Sequence, residues 1–249
     1  MRLHRFRFHL GRPDPPDEIE TGFQKRGPWI TRFEIGGRSY GGPHSFDDDP
    51  RIRWFFEAFP DVQTVLDLGS LEGGQSFQLA KRRGLRVLGV EGRPFNVDRA
   101  RYVQTLLGVA NVRFVQADLE RTPLASFGRF DAVFNSGLLY HLPRPWELLD
   151  QLPMVAPRVF LWTHYAREDG VTETIDGFPG HWFQESGHAD PLSGLSPRSF
   201  WITLESLMAR LKRNGFDQIT LFEDNQTHPH GPCVSLAAWM AGAKPLGSG

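Results

Sequence analysis

The 249-residue chain carries 28 basic and 29 acidic side chains and a formal net charge of -1, so no broad cationic surface draws it to nucleic acid. Hydrophobic residues at 40% and charged residues at 23% are those of a globular protein with a sizeable core. The single Cys233 excludes an internal disulfide framework and favours a cytoplasmic setting, and no apolar run reaches the roughly 20 residues of a membrane helix.

Residues 1–12 interleave basic and apolar side chains without a signal-peptide core. Prolines among acids make 13–20 an irregular linker, and 29–35 with 38–40 read as a hairpin around Gly36-Gly37. A helix over 48–59 leads into an apolar strand, 64–68. The glycine-rich run Gly69-Ser70-Leu71-Glu72-Gly73-Gly74 follows and opens a helix over 75–83. Strand 86–90 ends in Glu91-Gly92, strand 112–116 in Ala117-Asp118-Leu119, and strand 130–134 in Asn135-Ser136. Helices over 95–107 and 145–152 alternate with these strands, and strand 158–162 delivers His164 at its end. A long segment, 166–197, then precedes a helix over 200–214 stopped by Gly215. Strands 218–223 and 234–240 close the chain as an antiparallel hairpin, with His228 and His230 in the turn. Gly247-Ser248-Gly249 reads as an appended tail and is set aside.

Strands alternating with helices predict an α/β fold with a mostly parallel sheet. Such sheets bind ligands beyond the carboxyl ends of their strands. Glycine permits a sharp turn and close backbone approach, and the following helix N-terminus presents unpaired N–H groups. A loop of this kind serves a phosphate, a dinucleotide or an adenosyl cofactor. Asp67, two residues before the first glycine, would repel a pyrophosphate and suits a ligand carrying a cation. Glu91, about 20 residues on, is placed to accept from both ribose hydroxyls. Asp118 can take an adenine amino group.

This constellation resembles the class I S-adenosylmethionine-dependent methyltransferases, over roughly 60–165 and 197–241. The resemblance implies a Rossmann-like sheet of seven strands with an antiparallel last strand, an N-terminal hairpin, and a lid inserted after strand five. By the same resemblance Asp67, Gly69, Ser70 and Gly73 form the first cofactor motif, with S-adenosyl-L-methionine over the turn. Glu91 with Gly92 holds the ribose, Asp118 with Leu119 faces the adenine, and Asn135 and Ser136 lie near the sulfonium. Leu71 stands where the family places a middle glycine. Gly137-Leu138-Leu139-Tyr140-His141 is similar to a motif in a branch that includes tRNA wobble-uridine modification enzymes. The chain divides into an extension with hairpin, 1–47, and a cofactor-binding domain, 48–246, with the lid at 166–197.

Topology carries the acceptor expectations. Loops longer than about 12–15 residues in compact domains are usually functional, and this one holds aromatic and polar groups that include His181, Trp182, Glu185 and His188. The lid and the hairpin are expected to close an acceptor pocket, with His181, Trp182, His228 and His230 contacting substrate. His164 and then His141 are the candidate general bases, with Tyr140 as an orienting group. The histidine spacings match no compact ligand set and one cysteine supplies little thiolate, so no metal is assigned. The leading reading is O-methylation of a sugar, metabolite or natural product. A tRNA-modifying enzyme and a non-catalytic adenosyl-binding regulator stand beside it. Oligomeric state is not legible.

Overall fold

The structure, a computed structural model, describes residues 16–82, 84–187 and 190–243. The basic N-terminal stretch, residues 13–15 of the linker, Arg83 and His188 lie outside them. β4 (Thr64–Leu68), β5 (Arg86–Glu91), β6 (Val112–Gln116), β7 (Ala132–Ser136) and β8 (Arg158–His164) run parallel. β13 (Cys233–Trp239) lies antiparallel between β8 and β12 (Gln218–Asn225), giving seven strands in the order β12-β13-β8-β7-β4-β5-β6. The chain therefore leaves β4 toward one edge and returns through β7 to the other. That reversal opens a crevice at the carboxyl ends of β4, β5 and β7.

Period-two alternation sends neighbouring residues of each strand into two cores. Leu66, Leu68 and Val133 pack with Leu149 and Leu152 of α5 (Pro145–Val155) and Leu207 of α6 (Leu204–Arg213). Val65, Phe134 and Phe160 face the other way, onto Phe55 of α2 (Pro50–Ala58), Phe77 of α3 (Gly74–Ala80) and Val97 of α4 (Pro94–Leu107). No described helix is long and apolar enough to cross a membrane.

Two expectations change. The supposed linker turns helical at Pro16, as α1 (Pro16–Arg26), because proline fits the first helical turn and Ile19 and Phe23 give the helix a buried face. The helix expected from residue 200 begins only at Leu204. Residues Arg198–Ile202 form a strand, β11, paired with β10 (Phe178–Gln184), which also pairs with β9 (Glu173–Ile175). Phe200, Trp201 and Ile202 suit a pleated surface, and Thr203 caps the helix by accepting from Ser206 N at 3.2 Å. The inserted lid is thus mainly a second sheet. It docks on α5 through Trp146, stacked on Phe178 at 4.7 Å.

The N-terminal strands β1 (Thr31–Ile35), β2 (Arg38–Gly41) and β3 (His44–Ser45) are stapled to the glycine-rich turn by one buried carboxylate. Glu72 accepts from Thr31 N at 2.6 Å, Ile30 N at 3.1 Å and Arg99 Nη1 at 3.1 Å. Arg99 also donates to the carbonyl of Arg26 at 2.7 Å. Removing one member of such a pair leaves an uncompensated interior charge, which costs about 3–5 kcal/mol. Glu72→Ala should lower unfolding stability by that order in a denaturant titration. A loss below about 1 kcal/mol, the size of an exposed pair, would show that the staple does not hold the extension.

Candidate functional site

The turn after β4 uses left-handed backbone at each alternate position: Gly69 at φ +78, Leu71 at +50 and Gly73 at +85. A Cβ at Gly69 would lie 2.9 Å from Leu138, and one at Gly73 would lie 2.7 Å from Phe114, so packing as well as φ requires glycine there. Leucine in this conformation costs roughly 1–2 kcal/mol. The compensation comes from the next strand, where Glu91 Oε2 accepts the Leu71 N–H at 3.0 Å. Replacing the middle glycine by leucine therefore alters the sequence motif while the turn keeps a glycine-like path.

Asp67, 2% exposed, sits behind this turn and accepts from Ser76 Oγ of α3. Burial pushes its carboxyl up to about 7; the Ser76 bond pulls it down and the neighbouring Glu91 charge adds to the rise. The two acids occupy adjacent parallel strands on the same side of the turn, with Asp67 paired to Gly89. Glu91 is the one that reaches the cavity. Its Oε1 also accepts from Arg93 N at 2.8 Å and from Asn96 at 3.4 Å.

A cavity of about 250 Å³ occupies the crevice. Gly69, Ser70, Glu91, Gly92, Asp118, Leu119 and Ser136 line one part; Tyr140 and His141 line the other. Gly73 and Asn135 stand behind the lining, as the cap residue of α3 and a fully buried amide at the end of β7. The Ser70 hydroxyl and both polar atoms of the Asn135 amide are buried without a protein partner. Glu91 and Asp118 each keep acceptor capacity beyond the backbone N–H groups they hold. This donor and acceptor set fits an adenosyl ligand with hydroxyls at one end and a polar amino-acid end at the turn.

Six groups expected at the acceptor side lie off the cavity lining. His164 lies one row back: its ring meets Tyr140 edge-on at 4.7 Å, and its Nδ1 donates to the carbonyls of Gly231 and Pro232 at 3.0 and 3.2 Å. Burial lowers its affinity for a proton, against the pull of those carbonyls. Trp182 packs on Phe200 and beneath Arg198, and His181 on Trp201, because β10 commits its side chains to the lid sheet. His228 and His230 sit in the outer β12–β13 turn, beside His164 rather than on the cavity. The N-terminal hairpin, expected to help close the pocket, contributes none of β1 or β2; Phe46, just beyond, reaches the lining.

Other residues complete the acceptor end. His141 Nδ1 lies 2.9 Å from Glu185 Oε1. Glu185, 6% exposed, also accepts from Ser193 Oγ at 2.5 Å, Gly194 N at 2.8 Å and Ser199 Oγ at 2.7 Å. Burial opposes its charge, but these donors and His141 prevail and hold its carboxyl at about 2. Beside it Arg51 is paired to Asp49 at 2.8 Å, and Gln75 bridges Asp49 and Ser136 at 2.8 and 3.1 Å. The Arg51 guanidinium lies 5.1 Å from the Trp162 ring, and both line the cavity. Arg93, 5% exposed, donates to the carbonyls of Gly187 and Ser193 at 2.9 and 2.8 Å, drawing the roof loop over the β5 end. A Cβ on Gly92 would lie 2.6 Å from Leu195 of that roof. Beyond His141 and Ser136, already singled out, Glu185 carried a sequence signal as a carboxylate inside an aromatic insertion. Arg51, Asp49, Gln75 and Arg93 carried none.

Residues 66–156 match the family described as a methyltransferase domain. A tRNA U34 carboxymethyltransferase of Geobacter sp. (strain M21) is 26% identical over 200 residues, covering 75% of this chain and 58% of that protein. An uncharacterized methyltransferase of Mycobacterium sp. (strain JLS) is 30% identical over 132 residues, 49% of each. The chain thus spans about half the length of the curated relatives it matches. The N-terminal domain of EvdMO1, solved in the presence of SAH and D-fucose, superposes with a TM-score of 0.81 at 36% identity, covering 90% of this chain and 96% of that one. Against the whole of EvdMO1 the identity is 33% and the TM-score 0.72, covering 93% of this chain and 49% of that one.

Two measurements test the cofactor half. Charge-assisted hydrogen bonds contribute about 1.5–3 kcal/mol, so Glu91→Ala should weaken calorimetric SAH affinity roughly 10- to 100-fold; unchanged affinity removes Glu91 from the site. Asp67 binds its proton more tightly folded than unfolded. The protein should therefore lose stability as pH climbs from the ordinary 3.8 to about 7, and stay level above that. The slope is at most about 1.4 kcal/mol per pH unit. Urea titrations across that window should show the decline flattened in Asp67→Asn, and identical slopes in both proteins would refute the assignment.

The EvdMO1 domain is matched over 96% of its length at 36% identity, and the glycine-rich turn, the β5 carboxylate and the crevice fit the same cofactor chemistry. The chain belongs to the class I S-adenosylmethionine-dependent methyltransferases.

Proposed function

We propose that this methyltransferase acts on a hydroxyl of a sugar or sugar-like small molecule, with His141 as general base. The observation that carries the reading is the His141–Glu185 pair on the cavity wall. An ionised carboxylate only accepts, so Nδ1 carries the hydrogen and the Nε2 lone pair is available to take a proton. Glu185, locked by three further donors, fixes the ring and stabilises the imidazolium after proton uptake. S-adenosylmethionine, when bound, supplies an already activated methyl group. Glu91, Ser70 and Asp118 would hold it, and the protein's remaining task is alignment, which can contribute roughly 7–11 kcal/mol.

His164 is the weaker candidate, since its lining neighbours Tyr140 and Trp162 stand between it and the cavity. Burial raises the Tyr140 phenol far above its ordinary range against the pull of Arg51, so Tyr140 acts as a protonated wall and orienting group. A paired Arg51–Asp49, the Gln75 amide and the Trp162 face offer neutral hydrogen-bonding and an apolar platform, which suits a polyhydroxylated acceptor. D-fucose in the EvdMO1 domain structure supports the same class. The tRNA reading rests on the Geobacter relative. The chain's near-zero net charge and a roofed cavity of small-ligand size favour the sugar.

Labelled S-adenosylmethionine with a panel of free and nucleotide-linked deoxysugars should yield methyl transfer to a hydroxyl. His141→Ala should lower kcat about 10²- to 10⁴-fold while leaving SAH affinity unchanged. Glu185→Gln should lower kcat less, with KM little altered. Transfer to RNA instead, with the steep salt dependence of phosphate contacts, would overturn the sugar reading; undiminished kcat in His141→Ala would remove the base.

A further inference from the structure

Outside the cavity, side chains from two distant stretches of the sequence converge where β8 ends against the β12–β13 turn. His164, His228 and Cys233 each place one ligand-capable atom within 4.8 Å of the others. We propose that these three side chains bind a single transition-metal ion, with zinc the best chemical match. One thiolate and two imidazoles are a borderline-soft donor set that hard cations do not favour. Bonds of about 2.0–2.3 Å require donors roughly 3.3–3.8 Å apart on a tetrahedron, so closure needs movements of about an ångström or less.

The surroundings are built as metal sites are. His164 donates its Nδ1–H to the carbonyls of Gly231 and Pro232, which fixes the tautomer and leaves the lone pair on Nε2. Its ring is held flat on Trp201 at 5.0 Å. Cys233 is 2% exposed and unpaired with any other cysteine. His228 is half-buried; its Nδ1 accepts from His230 N at 3.3 Å and its ring meets those of His164, His230 and Trp162 at 5.0, 5.6 and 6.3 Å, so binding an ion requires the ring to rotate away from His230 N. The charges of Glu223 and Asp224 reach Cys233 and would offset the ion's excess positive charge. Three protein ligands leave a fourth position, on the His228 side, for water.

Such an ion would pin the β12–β13 turn to the end of β8. Tyr140 and Trp162 lie between this cluster and the acceptor cavity, 4.7 and 5.2 Å from the His164 ring, so metal binding would stiffen that wall. The positions 164, 228 and 233 form no compact chain motif, and the sequence alone argued against a metal; antiparallel pairing of Cys233 with His164 supplies the proximity.

Titrating the reduced, metal-free chain with Co²⁺ tests this. A sulfur-to-cobalt charge-transfer band should rise, saturate at a single equivalent and be displaced by Zn²⁺. Cys233→Ser should abolish the band, and His228→Ala should weaken cobalt affinity at least about tenfold, with SAH calorimetry confirming that both variants fold. No band, or a band that survives in Cys233→Ser, overturns the site. Should Cys233→Ser fail to bind SAH, undiminished cobalt affinity in His228→Ala overturns it instead.

Discussion

Glu91 accepts the Leu71 amide hydrogen across the gap between β4 and β5, and the crevice is organised around that bond. It holds a leucine in backbone that leucine avoids, keeps the turn open for a ligand, and leaves the carboxylate facing the cavity. The same side chain caps the entry to α4 through Arg93 N. One acidic group therefore sets the turn and the helix start while lining the cavity. Asp67, the other acid on this side, works from behind as a buried support joined to Ser76.

The cavity is closed by groups whose own positions are over-determined. Arg93 ties the roof loop by its backbone carbonyls, and Glu185 ties the same loop through Ser193 and Gly194 while it orients His141. Floor, roof and the His141 ring are thus coupled through two side chains, Arg93 at the start of α4 and Glu185 just past β10. The lid sheet stands on α5 through the Trp146–Phe178 stack, so the Glu185 carboxylate at its end rests on packed structure. Behind the turn, Glu72 and Arg99 bind the N-terminal strands to the cofactor half. The extension serves the site as a buttress, at one remove from the ligand.

The two ends of the cavity differ in character. One is lined by carboxylates and backbone at strand termini. The other is lined by a paired guanidinium, an amide and aromatic faces brought in from α2, α3 and β8.

Much of this was legible in the chain. The strand–turn–helix pattern, the glycines at 69 and 73, and the acids at 67, 91 and 118 are local signals, because strand ends, tight turns and ligand contacts there involve residues close in sequence. The parallel sheet and its antiparallel end followed from alternating elements and the final hairpin. What the chain could not display were meetings between distant residues: His141 with Glu185, 44 positions on, or His164 with His228 and Cys233. Strand β11 was misread for the same reason, since Phe200 and Trp201 become a strand only when β10 supplies the hydrogen bonds. Local sequence determined the cofactor turn because backbone geometry is a near-neighbour property. The pairing of His141 with Glu185 and the far wall of the cavity were decided by tertiary packing, which alone brings remote side chains within bonding distance.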